Sequence, residues 1–261
     1  MVKKIVLFDK IYNITSQRKK EEIFSRYFKY LNELVKGPGK TKIRIKKLRE
    51  FDNRFEIEIN GPDEVFVSNI LKKEVGTITD FKDVQVGQIH KGTMVDVGKV
   101  GFGIFIDCAI LKPRTDVLIE LRTLREQLCN GKKQSTRDII KAYNFMDHYP
   151  VHMKIVDVDQ QNQKLQGEFA PETLNLFKKV MDENIEGIIV CGSSKNQFKK
   201  ALLKTGHLRD MISIHRFSFL ENIVLLKENT DAPGIISHVG KDLRNCKLSA
   251  LRAKRIKSLK N

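Results

Sequence analysis

The glycine spacing between residues 86 and 110 constrains the fold of this chain more than any other feature. Five glycines lie among β-branched and aromatic residues in this stretch, at positions 87, 92, 98, 101 and 103. Gly98 and Gly101 permit a sharp turn, because glycine adopts backbone conformations that other residues avoid. The stretch therefore predicts two short strands joined by a tight turn.

Three further strands follow the glycine-rich pair. Alternating or continuous apolar runs predict them at 117–119, 151–156 and 164–169, and a helix is expected near 135–145. Five strands with a helical excursion after the third is the strand order of an OB barrel. We expect this barrel to occupy the middle of the chain.

Both ends of the chain predict the element order β-α-β-β-α. In the first eighty residues, helical spacing over 18–35 lies between a short apolar strand and two alternating strands, and Pro62 opens a second helix. The last ninety residues repeat this order. The predicted fold class is α+β and multidomain, with a β-α-β-β-α domain over 1–80, an OB-fold domain over 81–170, and a β-α-β-β-α domain with a basic tail over 171–261.

The glycine-rich stretch also carries a motif. It reads V-G-Q-I-H-K-G-T-M-V from Val86 and F-G-I-F-I-D from Phe102. This pair of patterns resembles the RNA-binding domain repeated in ribosomal protein S-one, which has V-G-x-x-x-x-G-x-V followed by F-G-x-F-V-D. The resemblance covers about 85 residues and implies an OB barrel that binds RNA.

The resemblance implies five barrel residues at an RNA site. Phe102 and Phe105 are expected to stack bases, with Lys91, Lys99 and Lys164 near the phosphates. On a flat strand two rings three residues apart would face opposite sides. A bend at Gly103 would bring them to one surface, and the alternative is that one or both rings belong to the core.

Two positions depart from the S-one pattern. Glu120 stands where family members often carry a histidine, and Gln163 stands where an arginine belongs. An acidic side chain at this point repels phosphate. We therefore expect a barrel that has kept its fold while its usual RNA face is weakened.

The positive charge of the chain lies at its two ends. The formal net charge is +16, of which residues 1–50 carry +10 and residues 241–261 carry +7. Such a field favours polyanions, and nucleic acid is the commonest one in a cytoplasm. Three of the basic residues within 1–50 lie on one face of a predicted strand, namely Lys42, Arg44 and Lys46. Glu56 and Glu58 on the next strand are expected to pair with this face.

The basic tail is expected to form a weak amphipathic helix that lies along phosphates. An acidic membrane surface, a partner protein and a solvated terminus are the alternatives. The residues of this tail assigned to RNA binding are Arg252, Lys254, Arg255 and Lys257.

A second resemblance extends over the full length. The segment T-D-A-P-G-I-I, from Thr230 to Ile236, and the strand-G-S-S-helix segment before it resemble an archaeal family described only as a domain of unknown function. This resemblance implies an archaeal source and no activity.

The sequence predicts a non-enzymatic RNA-binding protein that works in translation, at the ribosome or in RNA processing. Its expected partner is single-stranded or ribosomal RNA. No catalytic constellation, cofactor site or metal site stands out, and no apolar run approaches the roughly 18 residues of a membrane helix, so a cytoplasmic protein is expected. The alternatives are a protein-binding scaffold or assembly factor, and a nucleic-acid enzyme with its active site in the terminal domains.

Overall fold

A computed structural model describes residues 2–12, 14, 16–37 and 39–260 of the chain. Pro38, within the glycine-proline turn that follows the first helix, lies outside these residues. The backbone divides into two compact units at residue 78. Over the described ranges, no helix combines the length and apolarity needed to cross a membrane.

The first unit has the predicted β-α-β-β-α order. A three-stranded antiparallel sheet in the order β1-β3-β2 packs with two helices. Tyr27 and Leu31 of the first helix are buried with Phe55 and Ile57 of the central strand, and the Tyr27 and Phe55 rings stack with centroids 4.0 Å apart. The elements are β1 (Lys3–Lys10), α1 (Gln17–Leu34), β2 (Lys42–Leu48), β3 (Arg54–Asn60) and α2 (Glu64–Glu74).

The basic strand face of the first unit is paired across its sheet, as expected. Lys46 Nζ lies 2.9 Å from Glu56 Oε1, and Arg44 stands opposite Glu58 in the β2–β3 register. These charges stabilise the sheet locally.

The second unit begins with the predicted five-stranded barrel. Its strands close in the order β10-β8-β6-β5-β9, and a separate two-stranded parallel pair joins β4 to β7. Two helices fill the excursion after the third barrel strand. The elements are β4 (Thr79–Asp80), β5 (Ile89–Val95), β6 (Gly103–Asp107), β7 (Ile110–Leu111), β8 (Val117–Glu120), α3 (Leu121–Leu128), α4 (Thr136–Tyr143), β9 (Pro150–Asp159), β10 (Lys164–Phe169) and α5 (Pro171–Asp182).

The rest of the second unit is a four-stranded antiparallel sheet in the order β12-β13-β11-β14. Alternate residues of its central strand enter two cores. Ile189 joins the core that continues into the barrel, whereas Ile188 joins the core formed with α6 and α7. The elements are β11 (Glu186–Cys191), α6 (Lys195–Lys204), β12 (Met211–Arg216), β13 (Glu221–Leu226), α7 (Ala232–Val239), β14 (Lys247–Arg252) and α8 (Ala253–Lys260).

The expectation of a single amphipathic helix in the basic tail is wrong. Residues 247–252 form β14, which pairs with β11 along its whole length, and the helix α8 begins only at Ala253. Leu251 is fully buried in the core shared with the barrel, and Ala250 is buried in the opposite core. The C-terminal part therefore has one strand more than β-α-β-β-α, because burial on both faces fixes this short segment as a strand.

The fold class is α+β with a closed five-stranded barrel, as the sequence predicts. Buried side chains of the barrel and of the C-terminal sheet belong to one continuous core within the second unit. The division of the chain into three domains stays a prediction.

Candidate nucleic-acid interface

The two aromatic rings lie together on the outside of the barrel. Phe105 alternates along β6 with the buried Ile104 and Ile106, so its side chain points away from the core. Phe102 immediately precedes this strand and is 57% exposed. The two ring centroids are 6.1 Å apart at 89°, an edge-to-face pair. One face of the Phe102 ring is thus available to a planar ligand.

Phe102 is held by a loop that distant residues fix in place. The Val97 N–H donates to Asp147 Oδ1 at 3.0 Å, and the Thr136 hydroxyl donates to the Gly101 carbonyl at 2.5 Å. The Phe102 carbonyl in turn accepts from the Leu121 N–H at 2.8 Å. The ring is therefore presented by ordered backbone, which lowers the entropic cost of stacking a ligand on it.

The third barrel strand completes the surface around the rings. Leu118 stands directly opposite Phe105 in the β6–β8 register, and Glu120 stands opposite Gly103. Both side chains are half-buried and share the outer face of β8 because successive residues of a strand alternate. We call Phe102, Phe105, Leu118 and Glu120 the aromatic face.

The barrel lysines lie at different distances from the aromatic face. Lys99 belongs to the loop that carries Phe102, but its Nζ lies 2.8 Å from Asp96 Oδ1, and this hydrogen bond raises the pKa of Lys99. Lys164 is exposed at the start of β10, two residues before Gln166, which pairs with Leu118.

Lys91 does not lie with the rings. The β5 residue opposite Phe105 is Val95, and Lys91 is four residues away, about 13 Å along the strand. Lys91 instead stands opposite His152, and its Nζ is 5.9 Å from the centroid of the Phe217 ring. The structure therefore places Lys91 against the C-terminal sheet region.

The tail residues separate into one structural arginine and a basic strip. Arg252 Nε donates to Glu186 Oε1 at 2.7 Å, which raises the pKa of Arg252, and its Nη2 lies 3.5 Å from Asp231 Oδ1. On α8 the apolar side is buried and the opposite side is solvent-facing and basic. The exposed residues of this strip are Lys254, Arg255 and Lys257, of which Lys257 donates to Asn184 Oδ1 at 3.0 Å.

Sequence reasoning missed the residues that fix the loop. Thr136 and Asp147 lie 35 and 50 residues from their partners in the loop. Neither belongs to a recognisable motif, so no local signal identifies them. Leu118 lies inside the V-L-I-E segment of β8, where alternation with the buried Val117 and Ile119 marks it as outward-facing.

Among the described residues, no three His, Cys, Asp or Glu side chains gather where they could hold a metal ion. The aromatic face combines apolar and acidic side chains. Its parts are two rings, one aliphatic side chain and one carboxylate.

Two solved structures with weak similarity to this chain come from archaea. An uncharacterised protein of Methanocaldococcus jannaschii is 17% identical over 34% of this chain and 96% of its own, with a TM-score of 0.24. A chain in the crystal structure of the a/eIF2alpha–aDim2p–rRNA complex from Pyrococcus horikoshii is 14% identical over 47% of this chain and 64% of its own, with a TM-score of 0.26. These TM-scores do not establish a shared fold.

No curated protein of the comparison matches this chain. Two family models do match it. Residues 84–181, which contain the barrel strands and nearly all of α5, match the DUF2110 central domain. Residues 186–251, which contain the four-stranded sheet except Arg252, match the DUF2110 C-terminal domain. Together these matches span more than half of the chain, which therefore belongs to the DUF2110 family.

Proposed function

We propose that this protein binds single-stranded RNA, without enzymatic activity, on the aromatic face of its barrel. The observation that carries the proposal is the pair of rings held on the outer surface by a fixed loop. Stacking of a base on an aromatic ring contributes about 1–3 kcal/mol and tolerates any base sequence.

The position of the rings supports this proposal. In OB barrels, oligonucleotides bind the face of the second and third strands and the loops that follow the first and fourth. Here Phe102 ends the loop after the first barrel strand, Phe105 lies on the second, and Leu118 and Glu120 lie on the third. The motif that resembles ribosomal protein S-one contains Phe102 and Phe105, the two rings of this face.

Flanking charge supplies the second component of binding. The net charge of +16 lies largely at the chain ends, and the exposed strip on α8 adds three cations in the same unit as the barrel. The aromatic face itself is not basic, because Lys99 pairs with Asp96 and Glu120 is acidic. The proposal therefore assigns base contacts to the rings and long-range phosphate attraction to the flanking residues.

The test is a titration of the full chain against fluorescently labelled U12 RNA, followed by anisotropy at 50, 100 and 200 mM salt. Each phosphate contact adds about 0.7 to the logarithmic salt slope on a single strand. We expect measurable affinity at 50 mM and a salt slope that the flanking cations set, because stacking on the rings is insensitive to salt. Absence of binding at 50 mM would overturn the proposal.

The competing function is that of a scaffold or assembly factor whose barrel binds protein. Glu120 and the Asp96–Lys99 pair favour it, because a face without net positive charge suits a protein surface as well as a base. Failure to bind RNA at low salt, together with a partner that protects Phe102, would support this function. A role in translation or RNA processing is the cellular context that accompanies the RNA proposal.

A further inference from the structure

Glu120 is a carboxylate without a partner beside two aromatic rings. Among the described residues, nothing donates a hydrogen bond to its carboxylate and no cation pairs with it. Nearby basic side chains have other partners, since Arg122 pairs with Glu126 at 3.1 Å and Arg125 Nε donates to the Gln134 carbonyl at 2.7 Å. The half-buried carboxylate keeps its full capacity to accept hydrogen bonds.

Helix capping does not account for Glu120. It is the residue before α3, but its side chain makes no hydrogen bond to the first turn of that helix. The positive end of the helix dipole nevertheless favours a negative charge there. An ionised carboxylate accepts hydrogen bonds from N–H groups and donates none.

The register of β6 and β8 places Glu120 on the same outer face of the barrel as the two rings. Glu120 stands opposite Gly103, the first residue of β6, which directly follows Phe102 in the chain. A Cβ atom at Gly103 would lie 2.3 Å from the Ile119 carbonyl oxygen, so only glycine fits. Glu120 is also the diagonal neighbour of Phe105, a position about 7–8 Å away that long side chains can reach across.

We propose that Glu120 selects guanine among the bases that stack on the aromatic face. Guanine alone offers two adjacent donors, N1–H and the N2 amino group, on its Watson–Crick edge, and they match the two oxygens of a carboxylate. Adenine and cytosine offer one amino group beside an acceptor nitrogen, and uracil offers one N–H between two carbonyl acceptors. The acceptor-only carboxylate faces repulsion from each of these neighbouring acceptors. This inference rests on the proposed RNA binding.

The experiment compares labelled octamers of uridine that carry guanosine, adenosine, cytidine or inosine at the fourth position, with U8 as reference. The full chain and its Glu120→Gln and Glu126→Gln variants are titrated by anisotropy. Glu126→Gln is the control, because it removes an exposed carboxylate of α3. Inosine lacks only the N2 amino group of guanosine.

We expect the wild-type chain to bind the guanosine octamer at least about fivefold more tightly than U8, as expected for a bidentate contact to a base edge. Inosine should fall between the two. In Glu120→Gln the preference should fall below about twofold, while U8 binds equally or more tightly because a charge that repels phosphate is gone. Glu126→Gln should keep the wild-type preference.

The outcomes separate this inference from the proposed function. Equal binding of all octamers by the wild-type chain, or a guanosine preference that persists in Glu120→Gln, overturns the role of Glu120 and leaves RNA binding intact. If no octamer binds at 50 mM salt, the proposed function fails and the inference fails with it. Unchanged melting of both variants shows that the fold is retained.

Discussion

Removal of the Phe102 ring should weaken RNA binding strongly and destabilise the fold only slightly. Full burial of a phenylalanine side chain contributes about 1.5–3 kcal/mol. Phe102 is 57% exposed, so less than half of that amount, about 1 kcal/mol, should be lost in Phe102→Ala. The loss of one stacked base costs about 1–3 kcal/mol, which is about a 5- to 150-fold rise in Kd.

The assay is anisotropy with labelled U12 at 100 mM salt, paired with thermal unfolding of each variant. Phe66→Ala is the matched control, because Phe66 is 58% exposed and lies on α2 of the first unit. We expect wild-type affinity in the control. Equal affinity of Phe102→Ala and wild type, or an equal loss in both variants, would refute the assignment of base stacking to the aromatic face.

Three further perturbations test other parts of the structure. Arg252→Ala should lower the free energy of unfolding, measured by urea denaturation, by about 1–2 kcal/mol, because Arg252 pairs with Glu186. The salt slope of RNA binding should stay unchanged, and a changed slope at constant stability would contradict this structural role. Replacing all three cations of the α8 strip by glutamine should reduce the salt slope by up to about 2 without loss of stability, and an unchanged slope would remove α8 from the phosphate contacts. Burial lowers the pKa of His152 below its usual 6.5, so the unfolded chain binds the proton first on acidification. The Tm of the second unit should therefore fall between pH 7 and pH 5, less steeply in His152→Gln, and a flat profile would contradict a lowered pKa of the half-buried imidazole.

The sequence predicts the barrel well because its signals are local. Strand alternation and the glycines near Phe102 are read within a few residues, and the helix expected near 135–145 is found as α4, whereas α3 is not predicted. The outward position of Phe105 follows from alternation with Ile104 and Ile106 once the start of β6 is known. Because β6 begins at Gly103, Phe102 lies before the strand. Its side chain is therefore not bound by the alternation of the strand residues and can reach the same surface as Phe105.

Long-range pairing explains what the sequence does not predict. Residues 247–252 form a strand because they pair with β11, some sixty residues earlier, whereas their composition alone indicates a basic tail. Arg252 therefore becomes part of an ion pair with Glu186. Lys91 lies in the motif but faces Phe217, a residue whose proximity depends on the packing of the C-terminal sheet.

The β14 strand also changes how the tail must be tested. Deletion of residues 241–261 would remove β14 and α8, and with them the buried Leu251 and Ile256. Any loss of RNA binding in such a truncated chain would reflect loss of the core. Charge-removing substitutions on the exposed side of α8 separate the two effects.

Photo-crosslinking of the full chain to a 4-thiouridine-containing U12 RNA, with the crosslinked segments located by mass spectrometry, tests the central claim most directly. We expect the principal crosslinks in the segment 100–114, which contains Phe102 and Phe105, and their loss in Phe102→Ala. Crosslinks confined to the first unit or to α8, and unchanged by that substitution, would contradict the claim that the barrel face holds the bases.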